Sequence, residues 1–193
     1  MTTDYLLWPN SNPVPYACVL GNLTGFKDLY RLWAGQSFRE KFPPDAEFSM
    51  SPDFPDNTIL TDSLMNRYHL VVGSEKLKNF FEEKPVPLVE CLPVAIRDHK
   101  GKIAAHYFVV NPLNAVDCLD YTASGALVSN VINTQVISTQ RLVLREDAVD
   151  SERPFFRIAG YPQMRLIQRN LAEEIQKAGF SGIKFRELDQ TGK

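Results

Sequence analysis

The stretch VECLPVAIRDHKGKIAAHYFVV, residues 89–110, constrains this chain more than any other. VECLPVAIRD (89–98) and KIAAHYFVV (102–110) are both rich in β-branched and aromatic residues, and the polar turn DHKG (98–101) separates them. Two such runs around a short turn read as an antiparallel hairpin. Pro93 lacks an N–H, so it is expected at an edge or a bulge. Asn111-Pro112 then ends the second strand, because a residue before proline avoids the α region.

Other elements fit around that hairpin. DYLLW (4–8), YACVL (16–20) and HLVVGS (69–74) read as strands, as do VSNVINTQVIS (128–138), QRLVLRE (140–146), PFFRIAG (154–160) and MRLIQ (164–168). Ser74 is placed to cap a helix over 75–83, where Leu77, Phe80 and Phe81 share a face and Pro85 and Pro87 stop the run. A second helix is expected from Arg169 to Ala178, with Leu171, Ala172, Ile175 and Ala178 buried and Gly179 just past its end. FSGIKF (180–185) reads as a short closing strand or extended segment. The first third is punctuated by NSNPVP, KFPPDAEF and SPDFPDN. These sit between aromatic anchors and read as ordered loops. The expectation is an α+β fold, a mainly antiparallel sheet with a few helices on one face or rim. A loop-rich region over 1–59 packs on a domain over 60–193, and any seam lies near residues 55–65.

Charge and cysteine usage narrow the function classes. With 21 Lys and Arg against 23 Asp and Glu, the net charge of −2 gives no electrostatic footprint for nucleic acid. No apolar run approaches the ~20 residues that span a bilayer. MTTDYLLWPNSNP lacks the basic start and long apolar core of a secretory signal, so the cytoplasm is the expected compartment. Cys18, Cys91 and Cys118 are far apart and odd in number, so buried, reduced thiols are expected. His69, His99 and His106 lack metal-ligand spacing, and no cofactor is expected.

The segment VVNPLNAVDCLDYTAS (109–124) concentrates polar groups behind an apolar run. Asp117 and Asp120 could form an acid–base pair if their environments split their pKa values. The structural alternative is simpler: Asn114, Asp117 and Asp120 bond exposed backbone N–H groups in turns, while Val116, Cys118, Leu119 and Tyr121 face the core. Cys118 with His106 is a weaker nucleophile pair, since His106 alternates with Ala104 and Phe108 and reads as a core or half-core residue. VVGSEK (71–76) could hold an anion at a helix N-terminus, but a plain Ser74 cap accounts for it. The charged helix faces read as solvated, and exposed aromatics among Trp8, Trp33, Phe38, Phe42 and Phe54 would be better contact residues.

Taken in order, these phrases resemble a known family. VVGSEKLKNFFEE, the hairpin, RLVLRE, PFFRIAG and LIQRNLAEEIQKAGFSGIKFREL follow one another as in immunity-protein family eleven of bacterial polymorphic toxin systems, formerly a domain of unknown function. The most telling piece runs from Tyr107 through Asn111 and Pro112 to Val116, Asp117, Cys118, Leu119, Asp120 and Ser124. The closing helix with Gly179, Gly182 and Phe185 is the second. The likeness covers about residues 60–188.

The resemblance implies fold-defining roles for Asn111, Pro112, Asp117, Asp120 and Ser124, no chemistry at the two aspartates, and no known toxin-contact residues. It implies a protein that neutralises a cognate toxin by binding it, usually one encoded beside it. Two other readings are a small hydrolase or transferase using Asp117, Asp120 and His106, and a structural or regulatory protein with another partner.

Overall fold

The computed structural model describes residues 5–84, 86–132, 134–150 and 152–188. In chain order its first elements are β1 (Tyr5–Leu7), β2 (Val19–Thr24), α1 (Leu29–Trp33), β3 (Glu47–Met50), β4 (Ser63–Asn66), β5 (Val71–Gly73) and α2 (Glu75–Glu83). There follow β6 (Val89–Arg97), β7 (Ile103–Pro112), β8 (Leu127–Val128), β9 (Val136–Ser138), β10 (Phe155–Ile158), β11 (Tyr161–Gln168) and α3 (Arg169–Lys177).

The expected hairpin forms over nearly its full length. β6 and β7 pair antiparallel from Val89↔Pro112 to Arg97↔Ile103. At the turn the Asp98 carboxylate accepts hydrogen bonds from the backbone N–H groups of Lys100 (2.9 Å) and Lys102 (2.8 Å). β3 pairs with β6 only from Ala95 onward, so Pro93 lies beyond that ladder and withholds no hydrogen bond from it.

Around the hairpin the chain closes a barrel, in the order β2-β3-β6-β7-β5-β4 and back to β2. Four contacts are antiparallel, while β3–β6 and β2–β4 are parallel. A separate antiparallel sheet has the order β1-β11-β10, and β8 and β9 form a two-stranded ladder. The α+β class holds, but the expected single antiparallel sheet is replaced by a mixed barrel and two smaller sheets. Strands drawn from residues 1–59 take part in both larger sheets: β2 and β3 pair with β4 and β6 across the anticipated seam, and β1 pairs with β11.

Alternation along the strands sorts the apolar residues into three cores. Leu20, Phe48, Leu64, Val72, Leu92, Val94, Ile96 and Val109 fill the barrel, and Phe26, Leu32 and Phe38 join them. Val71 and Val110 point out of it, against Leu77 and Phe81 of α2, Leu171 and Ile175 of α3, and Trp8, Phe155 and Ile167. The third core lies on the other face of the small sheet and holds Tyr5, Leu7, Phe156, Ile158 and Leu166 with Cys118, Leu119 and Leu142. Covering on both faces explains why the adjacent Phe155 and Phe156 are both large and apolar: Phe155 serves one core and Phe156 the next. Removing a ring such as that of Phe156 should cost about 3–5 kcal/mol.

Both longer helices obey their local signals. Ser74 is extended (φ −63°, ψ 167°), and its hydroxyl accepts from the Leu77 N–H at 3.3 Å. α2 ends at Glu83; Pro85, the expected stop, lies outside the described residues. Gly179 follows α3 in the left-handed region (φ 71°), where any Cβ would be strained. Residues 140–146, expected as a strand, and 180–185, expected as a strand or extended segment, make only isolated bridges, Leu119↔Leu144 and, just beyond the second segment, Leu7↔Arg186. Of 128–138, only the two ends form strands, since the middle turns back at Ser129.

Candidate functional site

The polar segment behind β7 resolves into separate duties. Asn111 is fully buried and still within β7, opposite Glu90 of β6. Its Nδ2 donates to Glu90 Oε1 (2.9 Å), and its Oδ1 accepts from Arg157 Nη1 (2.8 Å). Glu90, 2% exposed, also accepts from Ser37 Oγ (2.7 Å) and from the backbone N–H groups of Phe38 (3.0 Å) and Arg39 (3.2 Å). The amide of Asn111 thus relays between a buried carboxylate and a buried guanidinium, and the carboxylate holds the loop after α1. Pro112, also buried, ends β7 opposite Val89.

Asp117 is exposed and pairs with Arg145 at 3.2 Å. Asp120 Oδ1 accepts from the Ala123 N–H (2.8 Å), and its carbonyl accepts from the Ser124 N–H (2.9 Å). Ser124 is fully buried; its hydroxyl donates to the Val143 carbonyl (3.2 Å) and accepts from the Val143 N–H (3.0 Å). Asn114 takes a left-handed backbone (φ 55°), and its N–H donates to the Gly35 carbonyl at 2.8 Å. Each of these contacts ties one stretch of backbone to another.

The nucleophile candidates are poorly placed for chemistry. Burial pushes the Cys118 thiol up to about 12, with the Asp117 charge adding to it. Burial likewise raises Cys18 and Cys91 to about 11. Such thiols are protonated near neutrality and weak as nucleophiles. His106 is exposed on the outer face of the barrel rather than in the core, because Tyr107 and Val109 take the inward positions. At the N-terminus of α2 the protein supplies its own anion: Asp62 Oδ1 accepts from Ser74 Oγ (2.8 Å), and Oδ2 accepts from the Ser181 N–H (2.9 Å) and Oγ (2.8 Å). Among the described residues, no group of three or more His, Cys, Asp or Glu could hold a metal ion, and no helix is long and apolar enough to cross a membrane.

Two buried arginines were missed in the sequence. Arg157 and Arg165 are cross-strand partners in β10 and β11, and both are essentially inaccessible. Arg165 donates through Nε and Nη2 to the Trp8 carbonyl (3.1 and 2.9 Å) and through Nη1 to that of His69. Burial lowers Arg157 to about 10; burial and the neighbouring Arg157 charge lower Arg165 to about 9. Both remain cations near neutrality. An arginine inside an apolar strand carries no local signal of its burial, since RIAG and RLIQ fit exposed arginines equally well.

Surface clefts remain, among them an open one of about 270 Å³ lined by Asn114, Val116, Asp150 and Arg153 and two more. One, about 440 Å³, lies beside the short parallel seam of β2 and β4, with Phe54, Asp53, Arg67, Asn10 and Asn22 in its lining. Arg67 Nη1 donates there to Asn22 Oδ1 (3.1 Å). The other, about 310 Å³, lies between α1 and the 127–138 hairpin and has no charged residue in its lining. Tyr30 and Trp33 come from α1, Ile132 and Gln135 from the hairpin loop, Gly160 from the β10–β11 turn and Pro162 from the start of β11. Trp33 Nε1 donates to the Tyr68 carbonyl (3.0 Å), fixing that ring.

The hairpin loop has its own order. Ser129 Oγ accepts from the N–H groups of both Val131 and Ile132 (3.2 Å each), and the Ser129 N–H donates to the Gln135 carbonyl (2.8 Å). Its apolar tip faces water: Val131 is 92% exposed and Ile132 43%, with Tyr30 across the cleft at 69%. The hairpin is anchored where the Val136 N–H donates to the Gly160 carbonyl (2.8 Å). Gly160 has φ 71°, and a Cβ there would lie 2.0 Å from the Thr134 carbonyl oxygen, so this close approach requires glycine. Of the aromatics considered as contacts, Trp8 and Phe38 are buried, Trp33 and Phe42 half-buried and Phe54 exposed.

The chain belongs to the immunity-protein family Imm11, whose model matches residues 19–190. The match begins at Val19, the first residue of β2, so the family unit includes the barrel strands of the first sixty residues. No curated protein matches the chain.

Proposed function

We propose that this chain is a non-enzymatic immunity protein that binds a cognate bacterial toxin effector, encoded by the adjacent gene, and neutralises it in the cytoplasm. Family membership over residues 19–190 carries the reading. The geometry supports it: Asp120 and Ser124 bond backbone groups, Asn111 joins a buried network, and Asp117 lies exposed in an ion pair. Neither nucleic acid nor membrane is a partner in this reading; the net charge of −2 offers no attraction to phosphate.

Inhibition by occlusion asks for a rigid body that keeps its shape when it docks, and a barrel closed by hydrogen-bonded strands supplies one. The test is calorimetric titration against the C-terminal domain encoded by the neighbouring gene, at physiological salt. The expected dissociation constant is about nanomolar or tighter, as for other inhibitory complexes, with the partner's activity abolished at equivalence. A well-folded partner that shows no binding at micromolar concentration refutes this pairing.

A further inference from the structure

We propose that the toxin docks where Tyr30 and Trp33 of α1 meet the 127–138 hairpin, and that it inserts an apolar anchor side chain into the uncharged cleft between them. The inference rests on the immunity reading and specifies its partner chemistry.

Charge selects both this face and its occupant. Residues 121–140 (YTASGALVSNVINTQVISTQ) contain no charged side chain. Another uncharged run, residues 5–26, exposes Tyr16 but sends Tyr5, Leu6, Leu7, Trp8, Leu20 and Phe26 inside. The run over 121–140 instead exposes Leu127, Val131, Ile132 and Ile137. Interface cores are depleted of charge and built around apolar or aromatic anchors. A partner charge pressed into the cleft would lose its hydration without meeting an opposite charge, so the complementary surface is itself uncharged at its centre. The cleft of about 310 Å³ has room for a large side chain, with Tyr30 and Ile132 as its exposed walls. The larger cleft is a poorer match for an apolar anchor, since Asp53 and Arg67 line it.

The loop is also prepared for contact. Ser129 fixes the backbone that presents Val131 and Ile132, so little ordering remains to be done on binding. Charge steering is weak for such a face, so salt should alter the affinity little.

The test compares the wild type, Ile132→Asp, Val131→Asp and Phe54→Asp for binding to the neighbouring gene's C-terminal domain, with circular dichroism confirming that each is folded. Ile132→Asp is expected to weaken binding by about 100-fold or more, Val131→Asp by about 10-fold or more, and Phe54→Asp by less than about 3-fold. The wild-type dissociation constant should change by less than about 3-fold between 50 and 500 mM salt. If the wild type binds but Ile132→Asp binds equally well, the toxin docks elsewhere; this proposal falls while the immunity reading stands. If the wild type does not bind, both fall for that partner. If the free wild type sediments as a dimer and Ile132→Asp as a monomer, the face joins two copies of this chain, and the toxin assignment is overturned.

Discussion

Replacing Glu90 with Gln changes one atom of a buried carboxylate and should be among the most damaging conservative substitutions in the chain. Oε1 accepts from Asn111 Nδ2 and the Phe38 N–H, and Oε2 accepts from Ser37 Oγ and the Arg39 N–H. With the amide nitrogen at Oε2, Ser37 can turn its hydroxyl around, but the Arg39 N–H then faces another donor. With the amide flipped, Asn111 Nδ2 loses its acceptor and the Phe38 N–H keeps only its longer contact to the Oε2 position (3.3 Å). Either arrangement leaves at least one donor unpaired, at about 1–3 kcal/mol, and replaces charge-assisted bonds with neutral ones. It also removes the anion linked through Asn111 to Arg157.

The expected loss is about 2–4 kcal/mol in reversible chemical denaturation at pH 7. Because residues 37–39 follow α1, hydrogen exchange should accelerate there and around Tyr30 and Trp33 before it does so inside the barrel. A cycle with Asn111→Ala should show coupling of about 0.5 kcal/mol or more. A loss below about 1 kcal/mol, with additive effects, would refute the claim that this network holds the loop.

Three further outcomes follow from the same contacts. Asp120→Ala should cost about 1–2 kcal/mol through its turn, whereas Asp117→Ala should cost less than about 0.5 kcal/mol, as measured by denaturant titration. Burial works to raise the Asp62 pKa, but hydrogen bonds from Ser181 and Ser74, with the Lys76 charge, leave it net lowered from 3.8. Its stabilisation is therefore complete above the unfolded value near 3.8 and fades as the pH falls below it. Asp62→Asn should flatten that acid limb of the stability–pH profile, and an unchanged limb would contradict the assignment. Under native conditions at pH 7.5 a thiol reagent should label the buried Cys18 and Cys118 most slowly and the half-buried Cys91, whose pKa is also raised, less slowly, and all three should react on denaturation; rapid native labelling of Cys18 or Cys118 would contradict their burial and raised pKa values.

Much of the architecture follows from local pattern, and the remainder depends on distant contacts. The β6–β7 hairpin, α2 with its Ser74 cap, and α3 with Gly179 are set by residues a few positions apart, so they are legible in the sequence. β3 is four residues long and lies just beyond the PPD turn of a proline-punctuated segment; only pairing with β2 and β6 makes it a strand. Closure through β2–β4 rests on two register pairs and has no signature along the chain.

The candidate site divides in the same way. That Asp120 serves a turn is local, involving Ala123 and Ser124 close by in the chain. The Glu90–Asn111–Arg157 network joins residues up to 67 positions apart and has no signature along the chain. The uncharged run over 121–140 is present in the sequence, but its 128–138 part reads there as strand material. Whether its apolar residues face water or core depends on where the hairpin docks.

The most direct test of the central claim is protection in a living cell. The C-terminal domain encoded beside this gene would be expressed in a bacterial host lacking its own immunity gene, with and without this chain. The account predicts growth arrest by the domain alone, full rescue by the wild-type chain, and rescue lost with Ile132→Asp at equal protein level. Arrest that persists in the presence of abundant, folded wild-type chain would contradict it.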